Sequence, residues 1–276
     1  MYDTDVYLRR LGYDGVADGR PAADLATLTA LHRRHMESIP FSSVGSLAVP
    51  TSNGDRVDLV DLDEDATFDS VVAAGNGGGC VQLTRLFLRL LRDLGFDVDL
   101  IAGTTAEGVE AYGVEVEHML LLARVDGESW LLDIGYAGPS FTEPLRLATT
   151  GPDQTQYGCR YRLVEDGDGL LLQRRPRLGR WSTVYRFTTT VRERTDWALA
   201  NKAVNAALDE AAAAAADEGP ELYSRAVADG QIVLKGRRSL TVRGGIEKTR
   251  TLIDDDEWRS VRAAVLNRTG MPCAGK

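Results

Sequence analysis

The chain has 276 residues, 43% of them hydrophobic, and a formal net charge of −9, enough for a substantial core in one large domain or two to three small ones. So anionic a surface repels nucleic acid and anionic membrane, which excludes both as main partners, although a local basic patch could still hold a phosphorylated small molecule. No apolar run is long enough to span a bilayer, and the opening "MYDTDVYLRRLGY" lacks the apolar core of a signal peptide, so the expected compartment is cytoplasmic.

The first third reads helical. "PAADLATLTALHRRHMESIP" opens on Pro21, a favourable first-turn residue, places Leu25, Leu28 and Leu31 or His32 on one face and stops at Pro40. "LVDLDEDATFDSVVAAG" is a second helix, with Asp61, Asp63, Glu64 and Asp65 read as a solvated face. A third runs from Cys80 to Leu94, apolar except for a stripe of Arg85, Arg89 and Arg92, and Gly95 caps its end. From about Phe96 to Thr190 the period changes. "VDLIAG", "VEVEHMLLLARV", "SWLLDIGY", "CRYRLVED", "GLLLQR" and "STVYRFTTT" are short and β-branched or aromatic, with Asp-Gly turns between several of them, as in an antiparallel sheet or small barrel. In the last third, "DWALANKAVNAALDEAAAAAADEG" is an alanine-rich helix ended by Gly219-Pro220. "GQIVLKGRRSLTVRGG" reads as two strands, and "DDDEWRSVRAAVLNR" is a closing helix with acids at its dipole-favoured start. Helices, then antiparallel strands, then a mixed segment make an α+β plan.

Chemistry concentrates at "GNGGGCVQL". No lysine follows the glycines as in a P-loop, and no strand precedes them as in a dinucleotide site. A cysteine at a helix N-terminus is favoured as thiolate, and glycines before it give close access and leave amide groups free to hold an oxyanion. The commoner fate of a single cysteine is a small core residue, so Cys80 needs a base and an orienting acid. The turn Asp126-Gly127 sets a hairpin in which Val125 opposes Glu128, Leu120 opposes Asp133 and His118 opposes Gly135. His118 and Asp133 then share a face as diagonal neighbours; a one-residue slip would separate them. His32 and His35, with no acid or cysteine at metal spacing, read as packing or surface groups. Cys159 and Cys273 read as inert. Three cysteines and three histidines make neither a disulfide framework nor a zinc cluster at familiar spacing, so no metal is expected.

"GGGCVQL", "EHMLLL" and "LLDIGYAGP" together resemble the arylamine N-acetyltransferases, with "YLRRLGYDG…LHRRHMESIPF", "LRDLGFDV", "WSTVYRF" and "GRRSLTVRGG" in the same order. The resemblance covers most of the chain. It implies a helical domain carrying the nucleophile (1–95), a β-barrel carrying His and Asp (96–195) and an α/β lid (196–276) around a papain- or transglutaminase-like core. It also implies ping-pong transfer of an acyl group from a thioester through Cys80 to a small-molecule amine, with His118 moving protons and Asp133 orienting it. Phe41, Gly78, Gly79 and Tyr136 are the candidate substrate-binding residues. No tightly bound cofactor is implied; the thioester co-substrate would be acetyl-CoA, another acyl-CoA or a carrier-protein thioester, with an acyl carrier protein a possible partner.

The chain departs from the family pattern in two places. In R-G-G-x-C-x-E, Asn76 stands for the Arg and Gln82 for the Glu; in I-P-F-E-N, Ser42 stands for the Glu. A charged pair lost as a unit leaves no buried charge unpaired. The family's Thr/Ser-Pro stretch, which helps hold the CoA phosphates, is replaced by the acidic, alanine-rich helix after "DWALAN". Both point toward a specialised enzyme, an amide synthase of natural-product biosynthesis, ahead of a general acetyl-CoA enzyme. A cysteine hydrolase and a non-enzymatic binding module remain the readings from other classes. Arg33, Arg34, Arg237, Arg238 and Arg243 are candidates for a basic docking patch, against plain solubility.

Overall fold

The structure, a computed structural model, describes residues 1–13, 20–106, 115–213 and 221–266. Val114, the helix stop Gly219-Pro220 and Cys273 lie outside the described residues. The chain opens with α1 (Thr4–Arg10), α2 (Leu25–Ser38), a two-residue strand β1 (Phe41–Ser42), α3 (Ser43–Leu47) and α4 (Glu64–Phe68), which runs into a π-helical turn (Asp69–Ala73). Helix α2 begins at Leu25, not at Pro21, because the Asp24 carboxylate accepts the Thr27 N–H at 2.8 Å and ends the lead-in there. The same device starts α4: Asp63 accepts from the amides of Asp65 and Ala66. The long helix α5 (Cys80–Asp93) follows the glycine loop and ends at Gly95, whose φ of +86° suits the left-handed cap.

Eight antiparallel strands come next. They are β2 (Asp97–Thr105), β3 (His118–Val125), β4 (Glu128–Leu132), β5 (Leu145–Arg146), β6 (Gln154–Gln156), β7 (Cys159–Asp166), β8 (Gly169–Arg175) and β9 (Ser182–Phe187), arranged β5-β4-β3-β2-β9-β8-β7-β6. The Asp126-Gly127 turn sets the β3–β4 register at Val125 opposite Glu128 and Leu121 opposite Leu132, as the turn chemistry requires. Strand β3 is buried on both faces. Met119, Leu121, Ala123 and Val125 pack on the helices, whereas Leu120 and Leu122 join Leu163, Leu172 and Tyr185 on the other side.

The closing segment holds more strand than its sequence suggests. After α6 (Ala198–Ala213) come four strands, β10 (Leu222–Val227), β11 (Gly230–Lys235), β12 (Arg238–Arg243) and β13 (Ile246–Thr251), then α7 (Asp255–Val265), capped by Asp254. The two expected strands are therefore β11 and β12. Flanking β10 and β13 escape a period-2 reading, the one buried nearly throughout and the other exposed throughout. Strand β1 completes this sheet, with Phe41 opposite Ser224 and Ser42 opposite Tyr223, so the early chain is built into the C-terminal sheet. Helix α6 is strapped to the loop before α4: Asn205 Oδ1 accepts the amides of Arg56 and Val57, and Asn201 Oδ1 that of Leu59.

Candidate active site

Cys80 is the first residue of α5, with Gly79 as the cap in extended conformation, and its side chain is half-buried. The loop before it is tightly enclosed. Gly77 has φ +71°, and a Cβ there would sit 2.4 Å from the Pro40 carbonyl oxygen, so glycine is required on both counts. Gly78 bridges to the start of β1: its amide donates to Pro40 O at 3.3 Å and its carbonyl accepts the Ser42 N–H at 2.9 Å.

Two of the glycine amides are not free as expected. The Gly78 N–H is held by Pro40, and the Gly79 N–H donates to Gln82 Oε1 at 3.0 Å. Gln82, third residue of the helix, reaches back to satisfy the cap. Its Nε2 donates to Ser46 O at 3.0 Å, so both ends of the amide are used. Ser42, buried, caps α3 by accepting the Gly45 N–H at 2.8 Å. Asn76 is tied to Ser70 through its backbone and side-chain amides.

His118 opens β3, and Asp133 follows the last residue of β4. His118 Nε2–H donates to Asp133 Oδ2 at 3.1 Å, leaving Nδ1 as the nitrogen available to the Cys80 thiol, with which the imidazole also interacts. Burial alone would push the imidazole down. The Asp133 charge and hydrogen bond, with a smaller contribution from Cys80, outweigh it and raise His118 to about 10. Asp133 Oδ1 accepts the amides of Gly135 at 3.1 Å and Tyr136 at 3.0 Å, so this fully buried carboxylate is held at both oxygens. The rings of Tyr136 and Tyr185 flank His118 at 5.8 and 5.6 Å between centroids. Gly135 presses on the nucleophile: a Cβ there would meet Cys80 Cα at 2.8 Å.

The other two histidines are core groups, not surface ones. His32 is fully buried. Its Nε2 accepts the Asp133 backbone N–H at 3.1 Å, which makes Nδ1 the protonated nitrogen donating to Thr142 O at 2.9 Å. His35 pairs with the Tyr7 hydroxyl at 2.8 Å. Burial pushes His32 down to about 4 and His35 to about 3, so both are neutral at physiological pH. The acids read as a solvated face are also engaged. Glu64 bonds the buried Arg85 at 2.9 Å and Arg89 at 3.3 Å, and Asp65 accepts the Tyr2 N–H. A buried guanidinium on α5 requires such a partner. Cys159 is buried beside Arg174 Nη2 at 3.3 Å.

Two cavities meet at Cys80. The larger, about 1040 Å³, lies between α3, the loop before α4 and α6, with walls of Phe41, Val44, Leu47, Leu59, Val204 and Leu208 and with Gly79, Cys80, Gln82 and Glu117 at its base. The smaller, about 470 Å³, shares Phe41, Cys80 and Glu117 and adds His118, Tyr136, Lys235 and Arg238. Of the candidate binding residues, Phe41 thus lines both cavities, Gly79 the larger and Tyr136 the smaller, while Gly78 is committed to its bridge. The five arginines do not form one free patch. Arg33 pairs with Glu37 and Glu143, Arg237 with Asp255 and Arg243 with Asp229, while Arg34 lies over the Tyr13 ring. Arg238 stands opposite Lys235 across the β11–β12 pair, at the rim of the smaller cavity.

The sequence pattern gives Glu117 no role, marks Gly135 only as the residue opposite His118, and marks His32 only as a packing or surface group, with no sign of its bond to the Asp133 amide. Glu117 directly precedes His118 and could have been marked by that adjacency; His32 carried a signal only in its place on the apolar face of α2 beside Leu28 and Leu31.

Comparison with known proteins gives one answer. The N-acetyltransferase family model matches residues 24–267. Proansamycin X synthase of Amycolatopsis mediterranei (strain S699) is 44% identical over 267 residues, 97% of this chain and 98% of its own. The structure of the M. smegmatis arylamine N-acetyl transferase superposes with TM-score 0.76 at 28% identity, covering 100% of this chain and 96% of that one. The Mycobacterium marinum arylamine N-acetyltransferase in complex with CoA gives 0.74 at 25% identity, covering 96% and 94%. With its sequence matched almost end to end and its fold shared, the chain belongs to the arylamine N-acetyltransferase family and is an acyltransferase.

Proposed function

We propose that the protein is an amide synthase that moves a large acyl group from a thioester to an amine through an acyl-Cys80 intermediate. In this reading Cys80 and His118 rest as thiolate and imidazolium, the latter held by Asp133. The thiolate attacks the donor carbonyl carbon, and His118 protonates the departing thiol. The amine then attacks the acyl-Cys80 carbonyl, the C–S bond breaks, and His118 takes the proton from nitrogen as Cys80 leaves as thiolate. The resting ion pair is restored, so the cycle closes in protons and charge. Residues 1–95, 96–195 and 196–276 act as nucleophile-bearing, His/Asp-bearing and lid units in this scheme.

The observation that carries the proposal is the 1040 Å³ apolar cavity opening on Cys80. Sites for drug-sized ligands span about 300–1,000 Å³, and a two-carbon acyl group would leave most of this one empty. Val44 and Val204, about 40% exposed on its walls, gain from apolar cover. The 44% identical relative named proansamycin X synthase supports natural-product chemistry over general arylamine acetylation. The smaller cavity suits the donor arm: Lys235 and Arg238 line it, and two cations would attract the phosphate that CoA and a carrier-bound phosphopantetheine both carry. Either donor satisfies that chemistry.

Intact-mass spectrometry after mixing with acetyl-CoA and with long-chain acyl thioesters of N-acetylcysteamine and of a carrier protein tests the proposal. The expected result is an adduct on Cys80, absent in Cys80→Ala, formed faster from the long acyl group and discharged by an aromatic amine in preference to water. Absence of any adduct, or discharge by water as fast as by amine, would overturn it.

A further inference from the structure

We infer that Glu117 is the residue that receives the acceptor amine and sets which amines are accepted, an inference that rests on the acyl-transfer reading above. Glu117 and Phe41 are the described residues besides Cys80 that line both cavities, so an amine reaching an acyl group on the thiol from either cavity passes Glu117. The carboxylate does not swing freely. Oε2 accepts the Thr104 hydroxyl at 3.0 Å and the Thr105 amide at 3.1 Å, and Oε1 accepts the Thr105 hydroxyl at 3.1 Å. The backbone is fixed too, its carbonyl accepting the indole N–H of the buried Trp197 at 3.2 Å. Every one of these partners is uncharged, and among the described residues no lysine, arginine or histidine is seen in an ion pair with Glu117, whereas its near neighbour Glu115 pairs with Arg192.

A carboxylate offers about four acceptor positions, and three are used, leaving one on Oε1. An incoming primary amine can donate one N–H there, which turns its lone pair toward the neighbouring thioester carbon. The nitrogen–carbon bond forms, the carbon–sulfur bond breaks, the second N–H proton goes to the neutral His118, and Cys80 departs as thiolate. Glu117 neither gains nor loses a proton. Its charge, held by uncharged hydrogen-bond partners, also selects, favouring neutral and cationic amines and opposing those that carry a carboxylate of their own.

Glu117→Gln tests this. The Gln carbonyl can occupy the Oε2 position and its NH2 can donate to the Thr105 hydroxyl, so the clamp survives while the charge and the open acceptor are lost. Wild type and variant are acylated with a long-chain N-acetylcysteamine thioester, and the acyl-enzyme is discharged with aniline, with 4-aminobenzoate and with water alone. The inference expects aniline discharge slowed about 10- to 100-fold for a lost hydrogen bond to a charged group, a fall well beyond any change in acylation or hydrolysis, and the wild-type preference for aniline over 4-aminobenzoate reduced. Glu117→Asp, which keeps the charge but withdraws it by one methylene, should fall between and retain the preference. Unchanged aniline discharge in the Gln variant overturns the assignment, as does an equal fall in acylation and discharge, which marks a structural clamp. A wild-type enzyme that never acquires an acyl group overturns the acyl-transfer reading itself; an enzyme that acylates normally but ignores the change at 117 overturns only the role of Glu117.

Discussion

Gly135→Ala isolates the contact between the two halves of the catalytic arrangement. Gly135 does not lie in the left-handed region, so alanine is conformationally allowed and the effect is one of contact alone. The added methyl would sit 2.8 Å from Cys80 Cα, 2.9 Å from its carbonyl oxygen and 3.1 Å from its Cβ. Carbon atoms settle at about 3.5–4.0 Å, so the loop after β4 and the first turn of α5 must separate by about 0.7 Å. Neither side yields easily: Cys80 heads a helix packed through Leu83, Leu86 and Phe87, and the Gly135 amide is bonded to Asp133. Overpacking of this kind costs about 1–3 kcal/mol, and misplacing a nucleophile by about 1 Å lowers rates on the order of 100-fold. The expected result is a urea midpoint lowered in step with that energy, and Cys80 alkylation by iodoacetamide and acylation by a thioester both slowed between 10- and 100-fold. Wild-type stability together with acylation within twofold of wild type would refute the reasoning.

Gln82→Glu restores the acid of the family pattern without its partner. The new carboxylate is buried and faces the Ser46 carbonyl that now accepts from Gln82 Nε2; a loss of about 1–3 kcal/mol is expected from chemical denaturation, and a variant as stable as wild type would show that the site tolerates the charge. The histidines predict opposite pH behaviour. His118 is raised to about 10 when folded against about 6.5 unfolded, so its contribution is complete below about 6.5 and is lost as pH climbs toward 10. His32 and His35 are lowered to about 4 and 3, so the unfolded chain binds more protons below about 6.5 and stability falls as pH drops from there. Urea unfolding from pH 4 to 10 should show His118→Asn with a weaker alkaline decline than wild type and His32→Asn with a weaker acid decline; parallel curves would contradict both assignments.

Much of the site was legible because its signals are local. The start of α5 at Cys80 follows from glycine before an apolar helical run, and the β3–β4 register follows from one Asp-Gly turn that brings His118 and Asp133 to the same side. What was not legible depends on contacts distant in sequence. Nothing near His32 says that its ring will accept the amide of Asp133, nor does Glu64 announce Arg85. The start of α2 was misplaced for a different reason: Pro21 and Asp24 are both valid start signals, and the hydrogen bond to Thr27 decides between them. Strands β10 and β13 were missed because burial on nearly every residue, or on none, erases the alternation by which a strand is recognised.

The two residues of β1 have a consequence for the order of biosynthesis. Phe41 and Ser42 find their strand partners in β10, Ser224 and Tyr223, which leave the ribosome only after the whole eight-stranded sheet. Phe41 also walls both cavities beside Cys80, and Ser42 holds the carbonyl of Gly78 in the nucleophile loop. Contacts so distant in sequence form late. The helix that presents the thiol can therefore be complete on the nascent chain while the pocket that gives it a substrate is still open, and the site closes only once β10 has emerged.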